Sequence, residues 1–265
     1  MTIEHKGTAL ITGASTGIGA IYADRLAKRG YDLILVARNK ERLDAVAARV
    51  TSETGRSVKT VAADLSSKAD LARVEDILRS DASITVLVNN AGFGGSTPLL
   101  ASNIETMEDM IDLNVVALMR LTYAAVPGLV ARGGGTIVNI ASIAAVAPEI
   151  LNGVYGGSKA FVLVFSQSLK HELADKNIRV QVVVPGATAT EFWDIAAGGV
   201  QNLPQEIVMP AEDMVDAALA GLDQGEFVTV PSLPDDAQWD AFESARQALK
   251  PYLSRTKPAP RYQLA

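Results

Sequence analysis

The sequence predicts an α/β fold, a doubly wound parallel sheet with helices on both faces, on three observations. From Thr8 to Val184, short Val/Ile/Leu runs alternate with longer segments of helical periodicity, the rhythm of strands buried on both sides. The connections are short, and no repeat, low-complexity tract or linker interrupts the 265 residues, so a single domain spanning 1–265 is expected. Hydrophobic residues make up 48% and charged residues 20%, the balance of a compact globule.

The first strand, "TALIT", runs straight into "TGASTGIG" and the first helix, where Ile18, Ile21, Tyr22, Arg25 and Leu26 give a face for the sheet. A glycine-rich turn at such a junction lets backbone N–H groups approach a pyrophosphate at the positive end of the helix dipole. Gly13, Gly17 and Gly19, with Ser15, Thr16 and Ile18 between them, are the candidate contacts. Three residues rather than one separate the first two glycines, and alone the pattern equally describes a tight turn. The second strand, "DLILVA", ends at Ala37 and Arg38. An acid there would bind a ribose 2′-hydroxyl, whereas arginine suits a 2′-phosphate. Lys40 and Arg42 either add charge to that pocket or are solvated helix residues. After the third strand, "VKTVAAD", Asp64 is placed to accept from an adenine amino group with Leu65 beside the ring. The fourth, "TVLVNN", brings Asn90, Ala91 and Gly92 to the carboxyl edge, where a ribose or phosphate would lie.

Asn114 falls within the apolar stripe Met110, Ile111, Val115 and Leu118, where its amide needs water or backbone partners. The fifth strand, "GTIVNIAS", ends at Ser142, ready to hydrogen-bond a substrate oxygen. In "VYGGSKAF" a helix places Tyr155 and Lys159 on one face, about 6 Å apart along the axis. The ammonium is expected to favour the phenolate and lower the tyrosine pKa. Gly156 and Gly157 each cost about 1 kcal/mol in a helix, so substrate, cofactor or a partner helix is expected close to that backbone. "RVQVVVPG" is the sixth strand and the short "FVTV" the seventh. Between them, 191–210 reads as a mobile flap. Its Phe192, Trp193, Ile195 and Leu203, with Phe93, Val146 and Leu151, suggest an apolar pocket. Closure is expected to carry Trp193 from a wetter to a drier site. About 232–265 should hold a terminal helix and tail, with Asp235 as N-cap, Pro251 as stop and Trp239, Phe242 and Leu249 as an apolar stripe.

No cysteine is present, which excludes a thiolate nucleophile, a disulfide framework and cysteine metal sites, and neither His5 nor His171 belongs to a metal cluster or triad. A net charge of −6 disfavours broad attachment to nucleic acid or anionic membrane. Apolar runs such as "YDLILVA" fall short of the roughly 20 residues of a membrane helix, and no leader pattern opens the chain. A cytoplasmic location is the expectation.

"TGASTGIG", "NNAG", Asn114, Ser142, "YGGSK" and "PGATAT" stand in one order between Lys6 and about Val230. Jointly they resemble the short-chain dehydrogenase/reductase family, of the type often called classical. The resemblance implies a Rossmann-type, seven-stranded sheet in the order 3-2-1-4-5-6-7 and an NADP(H)-dependent oxidoreductase acting on a small-molecule carbonyl or alcohol, with NADP(H) favoured over NAD(H). It implies that Tyr155 donates the proton, that Lys159 lowers its pKa and binds the nicotinamide ribose, and that Ser142 positions the substrate oxygen while Asn114 holds a relay water. The "PGATAT" segment would bind the cofactor through Pro185 and Gly186 and place the Thr188 backbone and the Thr190 hydroxyl near the nicotinamide carboxamide. A homodimer or homotetramer through the helices around Asn114 and Tyr155 is also implied. A dinucleotide-sensing or scaffolding module without turnover, or an epimerase or dehydratase reusing the Tyr/Lys pair, would carry much the same framework.

Overall fold

The computed structural model describes residues 5–262, apart from the side chain of Ile195. Strands β1 (Thr8–Thr12), β2 (Asp32–Ala37), β3 (Val58–Ala62), β4 (Ile84–Asn89), β5 (Gly135–Ile140) and β6 (Ile178–Val183) alternate with helices α1 (Gly17–Lys28), α2 (Lys40–Thr54), α3 (Lys68–Ser80), α4 (Ile104–Ile111), α5 (Leu118–Ala131) and α6 (Gly153–Glu172). Then come β7 (Thr188–Ala189), α7 (Phe192–Ala196), β8 (Met209–Pro210), α8 (Ala211–Gln224), β9 (Val228–Thr229) and α9 (Ala237–Ala248). The main sheet has seven strands in the order β3-β2-β1-β4-β5-β6-β9, all pairs parallel. This is the expected order. The seventh strand is β9 because β7 and β8 form a separate two-stranded ladder.

Alternate residues of each strand face opposite sides of a sheet, and both sides are filled. Ile11, Leu33, Leu35 and Val88 meet Tyr22 and Leu26 of α1, Leu43 and Val50 of α2, and Met214 and Leu219 of α8. Leu10, Ile34, Leu87 and Ile137 meet Leu71, Val74 and Leu78 of α3 and Leu121 and Leu129 of α5. Each such side chain stabilises the fold by roughly 1.5–3 kcal/mol. That two-sided burial explains why the strands read as unbroken apolar runs rather than alternating ones.

Asn39, Ser67, Asn103 and Asn152 cap α2, α3, α4 and α6 with their side chains, whereas Thr16, ahead of α1, makes no side-chain cap. Between α4 and α5, Asp112–Ala117 forms a π-helical turn. The continuous helix Ile104–Ala131 is long and apolar enough to cross a membrane by length and composition. Here Leu121, Ala124, Ala125 and Leu129 are buried in the core layer that they share with α3.

The chain divides into two compact units, one running to Pro231 and the other beginning at Ser232. In the second, the N-cap of α9 is Asp236, without a side-chain cap, rather than the expected Asp235, whose carboxylate sits one residue earlier and accepts from the Ala237 N–H at 2.8 Å. The Trp239 and Phe242 rings meet at 5.3 Å between centres, tilted by 46°, on α9, which buries none of its residues. The final residues of the expected tail, Gln263 to Ala265, lie outside the described part.

Candidate active site

The glycine turn is shaped by contacts that leave no room for a side chain. Gly13 and Gly17 have φ of 66° and 53°, a region costly for residues with a Cβ. A Cβ on Gly13 would lie 2.7 Å from Asn90 Nδ2, and one on Gly19 would lie 2.3 Å from the Gly13 carbonyl. Asn90 braces this turn, donating to the carbonyl oxygens of Thr12 at 2.8 Å and Gly13 at 3.2 Å. Thr12 Oγ1 in turn accepts from the N–H groups of Asn90 and Ala91. The Asn90 amide thus holds the turn from beneath, a role its place in "NNAG" does not announce. The side chains of Ser15, Thr16 and Ile18 are half-buried along the turn and the start of α1.

Arg38 follows the end of β2, the strand that pairs with β1 up to Val36 opposite Thr12 at the entry to the glycine turn. It is exposed and, among the described residues, in no ion pair, unlike Lys40, bonded to Asp44, and Arg42, bonded to Glu191 at 2.6 Å. Lys40 and Arg42 therefore already have partners on the surface. Asp64 accepts from the Ser66 N–H at 3.0 Å, and the neighbouring Leu65 is buried.

The four residues expected at the chemical end come together at the carboxyl edge of β4 and β5. Ser142 caps the short turn Ile143–Ala145, its hydroxyl accepting from the Ala144 N–H at 3.2 Å. Tyr155 is 5% exposed and Lys159 6%. The Lys159 ammonium donates to the Ile140 carbonyl at 2.9 Å and stands 5.8 Å from the centre of the Tyr155 ring. Asn114, on the π-helical turn, satisfies its buried amide on Phe93, accepting from the N–H at 3.1 Å and donating to the C=O at 2.9 Å. It donates also to Ser158 Oγ at 3.1 Å. Gly92 completes the cluster, since a Cβ there would meet Asn114 Oδ1 at 2.8 Å and Lys159 Nζ at 3.5 Å.

The electrostatics differ from the expectation that Lys159 pulls the phenol down. Burial pushes Tyr155 up to about 12, opposed only by its hydrogen bond to the Ser142 hydroxyl. Burial likewise lowers Lys159 to about 8. Both groups are so far from water that desolvation outweighs their mutual effect.

The pocket wall around Tyr155 is apolar, with Met107, Met110 and Ala144 buried and Phe93, Leu151 and Phe192 packed against them. Phe192 lies 5.7 Å from Tyr155 between ring centres and fills the space beside Gly94, where a Cβ would sit 2.5 Å from its ring. Val146 is exposed and Leu203 half-buried. The flap is closed on Tyr155. Trp193 is already 8% exposed, its indole N–H donating to the Thr188 carbonyl at 2.9 Å, so the wetter starting site expected for it is absent. Pairing of β7 with β8, Thr188 with Met209 and Ala189 with Pro210, ties the flap's two ends. Pro185 is buried and its carbonyl accepts from the Ile143 N–H at 3.0 Å. The Gly186 carbonyl accepts from the Thr188 hydroxyl at 3.2 Å, and Thr190 covers the glycine turn, its methyl 3.1 Å from a Cβ on Gly17.

Three supporting residues are not anticipated from sequence. Asn152 accepts from the N–H groups of Val154 and Tyr155 and donates to the Thr97 carbonyl at 2.7 Å, fixing the start of α6 against the pocket wall. An Asn just ahead of an apolar helix is a cap signal that would have revealed it. Ser158 anchors Asn114, and Gly94 admits Phe192, but neither carries a readable signal. Of the paired glycines, Gly156 is approached by the Ala144 carbonyl and Pro148, at 3.3 and 3.5 Å from a Cβ, while Gly157 has nothing within 4 Å. The chain's own wall thus closes on the first of the two.

The short chain dehydrogenase family model matches residues 7–197. Among solved structures, the chain is similar to a short-chain dehydrogenase from Sphingobium yanoikuyae in complex with NADPH, at 50% identity and a TM-score of 0.93, covering 97% of this chain and 100% of that one. It is also similar to the bulky-bulky ketone specific alcohol dehydrogenase from Comamonas testosteroni, at 42% identity and a TM-score of 0.91, with 98% and 100% covered. Over 195 residues it is 38% identical to a very-long-chain 3-oxoacyl-CoA reductase of Anas platyrhynchos, covering 71% of this chain and 62% of that protein's length.

Proposed function

The chain belongs to the short-chain dehydrogenase family, and on that premise we propose that it is an NADP(H)-dependent oxidoreductase interconverting a carbonyl and an alcohol on an apolar small molecule. The observation that carries this reading is the joint burial of Tyr155, Lys159, Ser142 and Asn114 at the sheet edge that also holds the glycine turn. NADPH, when bound, supplies the hydride. The fit of the cofactor rests on the chain's own cradle: backbone at Gly13, Gly17 and Gly19 that a Cβ would fill, the uncapped start of α1 and the exposed Arg38 guanidinium, in no ion pair among the described residues and suited to a 2′-phosphate. Asp64 and Leu65 are assigned to the adenine, Ala91 and Gly92 to the ribose side, and Pro185, Gly186, Thr188 and Thr190 to the nicotinamide end.

In reduction, Tyr155 hands its proton to the carbonyl oxygen. A phenol held at about 12 is fully protonated at neutral pH and so begins in the donor state. The Ser142 hydroxyl fixes the same oxygen, and the Lys159 ammonium stabilises the phenolate as it forms. Oxidation requires the reverse, a Tyr155 that has released its proton. A homodimer or homotetramer through α5 and α6 is part of the proposal, supported by the exposed Tyr123 and Val164 and the stacked Tyr123, Phe165 and Phe161 rings on those helices.

The likeness to an enzyme of bulky-bulky ketones and the apolar wall support a panel led by ketones with a large group on each side, assayed with NADPH. Tyr155→Phe keeps the ring and removes the donor, so turnover should fall by at least about 10²-fold while NADPH binding, followed by fluorescence, is retained. Undiminished turnover in Tyr155→Phe would remove the assignment.

A further inference from the structure

The stretch that follows β4 and the helix that opens the flap meet beside Tyr155. A Cβ on Gly94 would lie 2.5 Å from the Phe192 ring and 3.0 Å from the Tyr155 ring, so backbone and two aromatic rings are in close contact there. A polar contact joins the same two elements two residues further on, where the Ser96 hydroxyl donates to the Ala196 carbonyl. In a helix as short as α7 the last carbonyls have no partner within the helix. The Trp193 carbonyl is taken by the N–H groups of Ala197 and Gly199, each at 2.8 Å. The Ala196 carbonyl accepts from no such N–H among the described residues, and Ala196 is 2% exposed. Ser96 supplies its hydrogen bond.

Ser96 is itself exposed, yet the backbone on either side of it is held. The Gly95 carbonyl accepts from the Asn152 N–H at 3.1 Å, and the Thr97 carbonyl from the Asn152 amide at 2.7 Å. The other end of that amide accepts from the Val154 and Tyr155 N–H groups. One asparagine therefore fixes both the post to which α7 is bonded and the helical turn that carries Tyr155.

We propose that Ser96 is a positioning residue for the reaction: from the post that Asn152 fixes, its hydroxyl latches the end of α7 and so keeps Phe192 on the Tyr155 ring and water away from the phenol. The inference rests on the reading of Tyr155 as proton donor. Among the described residues the charge beside that ring is the Lys159 ammonium, 5.8 Å from its centre. Met107 and Met110 of α4, Ser142 and Ala144 after β5, and Phe192 of α7 bring none, and the acids carried beside them, Glu108, Asp109, Glu149 and Asp194, are exposed. Burial, opposed by the Ser142 hydrogen bond, sets the phenol. Water admitted when α7 lifts is therefore what would change its acidity.

Ser96→Val and Ser96→Thr have the same shape and differ in the hydroxyl, so the pair isolates the bond. In the full chain saturated with NADP⁺, the Ala197 and Gly199 amides should exchange with solvent about tenfold faster in Ser96→Val than in Ser96→Thr, with those of β4 and β5 unchanged. The pH profile for oxidation of diphenylmethanol should move toward neutrality by about one unit in Ser96→Val, stay near that of the parent in Ser96→Thr, and move no further in Ser96→Val/Phe192→Ala than in Phe192→Ala alone. Equal exchange in the Val and Thr variants, a profile that stays in place in Ser96→Val, or shifts that add in the double variant would each overturn the proposal. A parent chain that oxidises no alcohol would sink the reading of the reaction instead, and the exchange comparison would then decide the latch by itself.

Discussion

Lys159 carries its charge in a place that disfavours it. Its folded pKa is about 8 against an ordinary 10.5, a depressed value, so its contribution to stability is present in full above 10.5 and is lost as pH falls through about 8. At pH 7 the ammonium is therefore a net cost to folding, at about 1.4 kcal/mol for each pKa unit. Lys159→Met should raise the denaturant midpoint at pH 7 by an amount that shrinks between pH 8 and 10.5, while turnover collapses. A midpoint that falls would contradict the burial argument. The same titration sets a limb for catalysis: kcat/KM for reduction should decline above about pH 8 as the ammonium is lost, and oxidation should need higher pH because Tyr155 stands near 12. Arg38 works by contrast in the open. A charge-assisted phosphate contact is worth about 1.5–3 kcal/mol, so a preference for NADPH over NADH should shrink roughly 10- to 100-fold in Arg38→Ala. Equal use of both cofactors by the parent chain would refute the reading of Ala37 and Arg38.

At the scale of elements, the site depends on three local devices. Asn152 seats the first turn of α6 and ties it to the wall at Thr97. The π-helical turn Asp112–Ala117 places Asn114 toward Phe93 and Ser158, and such turns often mark functional sites. The third device is α7, which lays Phe192 on the Tyr155 ring. Because burial dominates the phenol's pKa, Phe192→Ala should admit water, lower that pKa and shift the pH profile of oxidation toward neutrality by about one unit. A profile that stays in place would mean that Phe192 does not desolvate the phenol. Trp193 makes a companion observation. In a Trp239→Phe background its emission should already be that of a buried indole without ligand and change little on ternary-complex formation. Joined to Asn114 and Ser142 by the motif order of the family resemblance, the Tyr155/Lys159 pair and the glycine turn were legible because each is a short motif with fixed spacing. The supports were not. The π turn has no sequence marker, Ser158 matters only through a neighbour 44 residues away in sequence, and the burial of Trp193 depends on a ladder of two residues per strand that is too short to leave a period.

The whole molecule is organised by a sheet whose middle is covered twice. The buried runs of β1, β2, β4 and β5 made its class readable and the family resemblance implied the strand order, while β3, with no buried residue, and β9, with two residues, were the weakest in pattern. Hydrogen exchange should follow the same gradient. Amides of β1, β4 and β5, paired on both sides, should be the slowest and those of β3 and β9 faster, by a margin set by local against global opening. Uniform protection across the sheet would argue against such a gradient. The pairing of β7 with β8 bears on the pocket wall rather than on the main sheet. Two fixed posts, Thr188–Ala189 and Met209–Pro210, bracket the stretch that walls the pocket, and doubling the length of a tethered loop costs only about 0.6 kcal/mol in closure entropy. A longer interval between these posts is therefore expected to cost little as long as both stay paired. Yet Phe192 lies inside that interval and against the Tyr155 ring, so a change there should alter the pocket wall and the burial of Tyr155 together.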